Sequence, residues 1–315
     1  MLGDANATFR HDNQRRALIA IASERQHVLC VLPTGGGKSL LWLTAVRNYD
    51  APTDVTVVLV PWNVLAANHL ATTQIYGISA TFYEKDNHDV RQVMYVTPDS
   101  AKEDGFRSVV RQLYHFGRLR RIVFDEAHAW LTESDFRPTL LLDASYLTLF
   151  EVPIILLSAT IPPSAMDAIL DRLSITSISR PLTIRQSSTR STIRYAVDIM
   201  PREHFIDHIN NLVLRLLPDG YKGIVFTRSR TQADVLAKAL DCEAFHGGKT
   251  GAQLANSLAR WERGAAKIIV ATTLLGTGYH TDNVRLIVNH GAPYNYIAYS
   301  QSTGRGGRNE TYAEA

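Results

Sequence analysis

The 315-residue chain is poor in cysteine, with only Cys30 and Cys242. Both lie within or beside apolar runs, which excludes a disulfide framework and a cysteine-ligated zinc site. So few thiols fit a reducing compartment. No stretch is long and apolar enough to cross a bilayer. The first residues lack a basic segment followed by an apolar core, so no secretory signal is expected. Low-complexity tracts and repeats of solenoid period are missing, which excludes a solenoid. Charge of one sign is scarce too: 33 Lys and Arg against 30 Asp and Glu leave a net charge of +3. That balance permits a polyanionic partner without demanding one. There remains the apolar content of a globular protein, at a length that suggests two domains.

The most informative stretch is Leu32-Pro33-Thr34-Gly35-Gly36-Gly37-Lys38-Ser39. An apolar run, Val28 to Leu32, precedes it, and a helical pattern, Leu40 to Val46, follows. Strand, glycine loop and helix together form the context of a phosphate-binding loop. Glycines let backbone N–H groups curl around an anion, and the helix adds its positive end. Lys38 is placed to reach the terminal phosphates, and the Ser39 hydroxyl to ligate magnesium. Leu32 stands where the strict G-x-x-x-x-G-K-[ST] pattern has its first glycine, which disfavours a kinase or a small GTPase. The alternative is a flexible glycine turn beside a surface lysine.

Short apolar runs punctuate the first half: Val55 to Val60, Val93 to Thr97, Arg121 to Phe124 and Pro153 to Leu157. Helical patterns lie between them, at Gln14 to Arg25, Trp62 to Ile75 and Phe106 to Phe116, with Asp12 as the expected N-cap of the first. Strands alternating with helices imply an α/β fold with a parallel, doubly wound sheet, which binds ligands at the carboxyl ends of its strands. Ser, Thr and Arg dominate from Ser174 to Arg194, which marks a linker. A second alternating series follows: strands at Gly223 to Thr227, Lys267 to Ala271 and Arg285 to Asn289, and helices at Ser229 to Leu240, Gln253 to Arg263 and Tyr294 to Thr303.

Three clusters carry chemistry. Asp125-Glu126, at the end of an apolar run, pair naturally with Lys38 and Ser39: Asp125 to hold magnesium through water, Glu126 to orient or deprotonate the attacking water. Nearby His128 is either a satisfied loop histidine or a coupler of nucleotide state. Gly304-Arg305-Gly306-Gly307-Arg308 puts two guanidinium groups on a flexible segment. Such a fork suits phosphoryl-transfer charge, and the competing reading is a basic tail on nucleic acid. Gln14 alone reads more often as a solvated helix residue than as a ligand, and its place upstream of the phosphate loop raises the functional reading.

The ordered set resembles a superfamily 2 helicase of the RecQ family. Pro33 to Ser39, Asp125 to His128, Asp135-Phe136-Arg137-Pro138, and Ser158-Ala159-Thr160 match that family's motifs in order. Gly276, Gly278, Asn283, Val284 and Arg285 fit its next motif, and Gln301, Gly304, Arg305, Gly307 and Arg308 its last. Phe9, Arg10 and Gln14 resemble the motif whose glutamine reads adenine. The wording around Pro33 to Leu41 is similar to short RecQ-like proteins of fungi. The resemblance implies two tandem RecA-like domains. They are drawn here as 1–180, with 181–200 as linker and 201–315 as the C-terminal domain. It implies ATP and Mg2+ as cofactors and single-stranded and duplex DNA as partners, without zinc or membrane. Movement is expected 3′ to 5′, in recombination or repair, in a eukaryotic nucleus or a bacterial nucleoid. Catalysis falls on Lys38, Asp125, Glu126, Gln301, Arg305 and Arg308. Coupling falls on His128, Ser158, Thr160, Gly276 and Gly278.

Departures are specific. Ala129 to Ser134, between the D-E-A-H box and D-F-R-P, is one residue shorter than usual, and Trp130 comes early in it. Trp130 and Phe136 are equally open to base stacking and to packing. His280 stands where the family has aspartate, with Asp282 nearby but out of register. No zinc module or winged helix follows Arg308 in this sequence, so hydrolysis is expected to outpace unwinding. The alternative function is a degenerate or truncated RecQ-like chain that binds nucleic acid without productive unwinding.

Overall fold

The computed structural model describes residues 6–24, 26–49, 51–85, 89–132, 145–175, 179–187, 190–276, 281, 283–307 and 312–315. The chain divides into two compact units, Met1–Ser188 and Thr189–Ala315.

The first unit is built on seven strands: β1 (Val28–Val31), β2 (Val55–Leu59), β3 (Ala80–Phe82), β4 (Val93–Val96), β5 (Leu119–Phe124), β6 (Ile154–Ser158) and β7 (Leu182–Arg185). Their order across the sheet is β3-β4-β2-β5-β6-β1-β7, and the pairings are parallel. Successive side chains alternate between two buried faces. Leu29, Val31, Leu59, Phe124 and Leu156 pack on one side with Phe106, Val110 and Trp130. Val28, Cys30, Val58, Val123 and Leu157 pack on the other with Ala17, Leu41 and Trp42. Both faces being covered explains the unbroken apolar runs. Burial also pushes the Cys30 thiol up to about 12, against the pull of Lys38, so it stays protonated and inert.

Helix α1 (Asp12–Ala22), α2 (Lys38–Arg47) and α3 (Asn63–Ile75) flank this sheet. The N-cap of α1 is His11 rather than Asp12: extended at φ −163°, it accepts the Gln14 N–H on Nδ1 at 3.0 Å. An imidazole nitrogen replaces the capping carboxylate, and Asp12 moves into the first turn, where it pairs with Arg15. Helix α1 stops before Arg25, because Glu24 turns left-handed at φ 52°.

The second unit has a six-stranded sheet, ordered β10-β11-β9-β12-β13-β8, again with parallel pairings. Its strands are β8 (Ile193–Arg194), β9 (Lys222–Phe226), β10 (Glu243–Phe245), β11 (Ile268–Ala271), β12 (Val284–Asn289) and β13 (Ala313–Glu314). The span expected to be the linker, 181–200, contains the boundary between the two units. It supplies β7 to one sheet and β8 to the other, and its Ser, Thr and Arg content reflects half-exposed edge strands. Among the described residues, no helix is long and apolar enough to cross a membrane.

Candidate active site

The register of the first sheet brings three loops to one end. Val31 of β1 lies opposite Ser158 of β6, and Phe124 of β5 opposite Leu156 of β6. The chain leaving β1 enters the glycine loop, β5 runs into Asp125-Glu126, and β6 runs into Ala159-Thr160.

In the glycine loop the Leu32 N–H donates to the Ser158 carbonyl at 3.1 Å, and the Gly36 N–H to the Pro33 carbonyl at 2.9 Å. A Cβ on Gly36 would sit 2.9 Å from that same oxygen, so the turn admits only glycine. Gly37, at φ 75°, is the N-cap of α2, and as a glycine it has no side chain with which to cap that helix. The first-turn N–H groups of α2 therefore remain for an anion. Lys38 opens α2, and among the described residues its Nζ hydrogen-bonds only to the Leu32 carbonyl, at a long 3.4 Å. Thr34 and Ser39 are half-buried alongside.

The segment before α1 grips this loop. Arg10 donates from Nη1 to the Gly35 carbonyl at 2.5 Å, and its backbone N–H donates to Gln14 Oε1 at 2.9 Å. Gln14 is buried, with its amide nitrogen so close to Gly37 that a methyl there would collide with it. It is not a solvated helix residue. His11 leans toward its neutral form, chiefly through burial and secondarily through the Arg10 charge, with a backbone hydrogen bond at Gly36 acting the other way. That fits Nδ1 as an acceptor. Phe9 stays open, at 39% exposure.

Asp125 is buried, at 3% exposure. Its backbone N–H donates to the Leu59 carbonyl at 3.0 Å, and its Oδ2 lies 2.8 Å from His69 Nε2. Glu126 adopts φ 47°, a strained left-handed conformation for a residue with a side chain. Its Oε2 lies 3.2 Å from His128 Nδ1, which is itself 2.8 Å from Ser158 Oγ. Ser158 Oγ also accepts the Thr160 N–H at 3.1 Å. The D-E-A-H and S-A-T segments thus form one hydrogen-bonded chain. Among the described residues, Thr160 Oγ1 is buried without a hydrogen-bond partner. Trp130 is fully buried and meets Phe124 edge-on at 5.3 Å, so it packs the core and does not stack on a base.

In the second unit, Gln301 sits on the helix Tyr296–Thr303, half-buried. Arg305 donates to the Gly276 carbonyl, which joins the last two motifs. Arg190 Nη1 donates to the Gly304 and Gly306 carbonyls at 3.3 and 2.8 Å, and its Nη2 to Gly307. Phe136 with the rest of Asp135 to Pro138, Gly278, His280, Asp282 and Arg308 lie outside the described residues.

The sequence reading missed His69 and Arg190. For His69 a signal existed: Leu65, Ala66, His69 and Thr73 share one face of α3 at helical spacing, and all are buried. The set fits a magnesium nucleoside triphosphate. An uncapped helix start, a glycine-only turn and a lysine without an ion-pair partner among the described residues suit its phosphates, and a buried carboxylate suits its metal.

Residues 11–169 match the family model described as "DEAD/DEAH box helicase", just over half the chain. The chain belongs to the DEAD/DEAH box helicases. Residues 206–310 match a second model, "Helicase conserved C-terminal domain". Relatives include the Schizosaccharomyces pombe ATP-dependent DNA helicase hus2/rqh1, 29% identical over 94% of this chain and 24% of its own length. The Haemophilus influenzae ATP-dependent DNA helicase RecQ is 27% identical, over 95% of this chain and 49% of its own. These are RecQ-family helicases, in agreement with the motif resemblance. This DEAD/DEAH box chain spans between about a quarter and a half of their length. Among solved structures, S. cerevisiae Dbp5 bound to RNA and ADP BeF3 superposes with a TM-score of 0.75 at 19% identity, covering 96% of this chain and 81% of that one. Mycobacterium smegmatis Lhr bound to ssDNA and AMP-PNP reaches 0.71 at 20% identity, covering 96% and 45%. The fold is the two tandem RecA-like domains expected from the motifs.

Gln14→Ala is expected to narrow the preference for ATP over GTP by about tenfold, the worth of one or two hydrogen bonds. The kcat/KM ratio for the two nucleotides checks this. An unchanged ratio, with both nucleotides weakened alike, would reduce Gln14 to a brace for the loop.

Proposed function

We propose that this chain is an ATP-dependent DNA helicase that moves 3′ to 5′ on single-stranded DNA and separates duplex ahead of it. The observation that carries this reading is the gathering of the glycine loop, Asp125-Glu126 and Ser158 to Thr160 at one end of neighbouring parallel strands. Backbone N–H groups from Gly35 to Lys38, with the Lys38 ammonium, bind the phosphates. Pro33 and Thr34 shape the loop, and Phe9, Arg10 and Gln14 take the adenine side. Ser39 and Asp125 would hold magnesium, which would offset charge on the phosphate oxygens. Glu126 takes the proton of the attacking water. Gln301, Arg305 and Arg308 act on transition-state charge. His128, Ser158, Thr160, Gly276 and Gly278 relay nucleotide state to DNA. DNA is preferred over RNA because the relatives are named DNA helicases and Asp135 to Pro138 match the RecQ motif. Such a protein acts in the nucleus of a eukaryote or at the nucleoid of a bacterium.

The test is ATP turnover with single-stranded DNA, with RNA, and without either, beside strand displacement from 3′-tailed and 5′-tailed duplexes. DNA is expected to stimulate turnover, with displacement confined to the 3′ tail and slower than hydrolysis. Absence of stimulated turnover overturns the helicase reading in favour of a chain that only binds nucleic acid. Displacement from the 5′ tail overturns the polarity.

A further inference from the structure

We propose that His69 is a positioning residue for Asp125, aiming the carboxylate that holds magnesium; this rests on the nucleotide-hydrolysis reading above. His69 Nε2 and Asp125 Oδ2 are 2.8 Å apart, and both side chains are almost wholly shielded from water. A carboxylate in such a place is costly unless a hydrogen bond compensates it. The terminal torsion of an aspartate is soft, so nothing local fixes which way its oxygens point. A donor held on Oδ2 sets that torsion, and with it the direction of Oδ1.

The imidazole is suited to this because it is buried against two aromatic rings. It lies nearly parallel to the Tyr95 ring at 5.9 Å, with 13° between planes. Trp42 meets it edge-on at 5.3 Å and 79°. One turn along α3, Thr73 Oγ1 donates to the His69 carbonyl at 2.7 Å and pairs with the Tyr95 hydroxyl at 2.7 Å. Burial pushes the Tyr95 hydroxyl up to about 12, so it keeps its proton and donates to Thr73. Trp42 belongs to α2, the helix that begins at Lys38. The brace therefore ties the phosphate-loop helix, α3 and β4 to the carboxylate after β5. Partners that orient a metal-holding group in this way commonly matter about as much as the group's own neighbours in the ligand shell.

The variants separate the hydrogen bond from the packing. His69→Phe keeps a ring between Tyr95 and Trp42 and removes the N–H. His69→Gln restores an N–H donor without the ring. Each is measured for thermal unfolding, for binding of a fluorescent ATP analogue with chelator, for the magnesium concentration that half-saturates binding, and for kcat and KM. His69→Phe is expected to bind the analogue normally with chelator. It should need about tenfold more magnesium and lose about 10–100-fold in kcat, the usual cost of removing such a partner. His69→Gln is expected to recover most of both. A wild-type magnesium requirement in His69→Phe overturns the proposal. So does a His69→Gln variant that stays folded yet is as impaired as His69→Phe, because packing alone would then be the cause. If His69→Phe does not fold, the magnesium requirement of His69→Gln decides: a match to wild type supports the role, a tenfold rise removes it. Failure of the wild-type chain to bind the analogue with magnesium is a different result, which rejects the hydrolysis reading and this role with it.

Discussion

Lys38→Ala is expected to stop ATP hydrolysis while leaving the fold intact. The lysine opens α2 directly after the glycine-only turn, and among the described residues its side chain hydrogen-bonds only to the Leu32 carbonyl, at a long 3.4 Å. Losing that contact is worth little to stability. Alanine is also the best helix former, so the change at the start of α2 costs less than about 0.5 kcal/mol. The catalytic loss is of another order. A cation preorganised toward phosphate oxygens acts where charge develops, and removing one such donor costs about 10²–10³ in kcat. The loop backbone and the start of α2 remain, so weakened nucleotide binding should persist at high concentration. The check is steady-state ATP turnover beside thermal unfolding of the same preparation. Turnover like the wild type would return the loop to a flexible turn beside a surface lysine. A large fall in melting temperature would show that Lys38 serves the fold.

Much of this architecture was legible because the central strands are buried on both sides. Val55 to Val60 or Pro153 to Leu157 reads as a strand without reference to any neighbour, since parallel strands inside a sheet need apolar residues throughout. Edge strands carry no such mark. Ala80–Phe82 and Glu243–Phe245 are three residues long and half-covered, and Leu182–Arg185 reads as linker because one of its faces meets solvent. The site divides in the same way. Phosphate binding needs consecutive N–H groups, so its residues are contiguous in sequence and show as a motif. A carboxylate brace needs only proximity in space, and His69 stands 56 positions from Asp125. Arg190 is farther still from the carbonyls it holds, 114 positions from Gly304. Trp130 shows the limit from the other side. A tryptophan near a D-E-A-H box invites a stacking role, and only the packing against Phe124 assigns it to the core.

Glu126→Gln is expected to separate nucleotide binding from hydrolysis. Glu126 occupies a left-handed backbone conformation, at φ 47°, immediately after the buried Asp125. A strained residue persists only where its surroundings hold it. Here the holding is visible. Its backbone carbonyl accepts the Ala129 N–H at 2.8 Å, and Ala127 beside it donates to the Leu157 carbonyl at 2.8 Å. Its carboxylate faces His128 Nδ1, and that nitrogen also faces Ser158 Oγ. With the ring hydrogen on Nδ1, His128 donates between the two oxygens and aims the carboxylate. Glutamine has nearly the same shape and keeps an oxygen for His128, so the fold and the strain are preserved. What it lacks is basicity. A positioned general base contributes about 10²–10⁴ to rate, and that is the expected fall in kcat. Nucleotide affinity should change little, because on the proposed reading the glycine loop, not Glu126, holds the phosphates. Single-turnover hydrolysis, set beside equilibrium binding of ATP with magnesium, reads the two quantities apart. A fall in kcat of less than about tenfold would mean that the water loses its proton elsewhere, since a true base is worth more than that. An equal fall in affinity and rate would make Glu126 a ligand of the nucleotide, and the general-base role would pass from it.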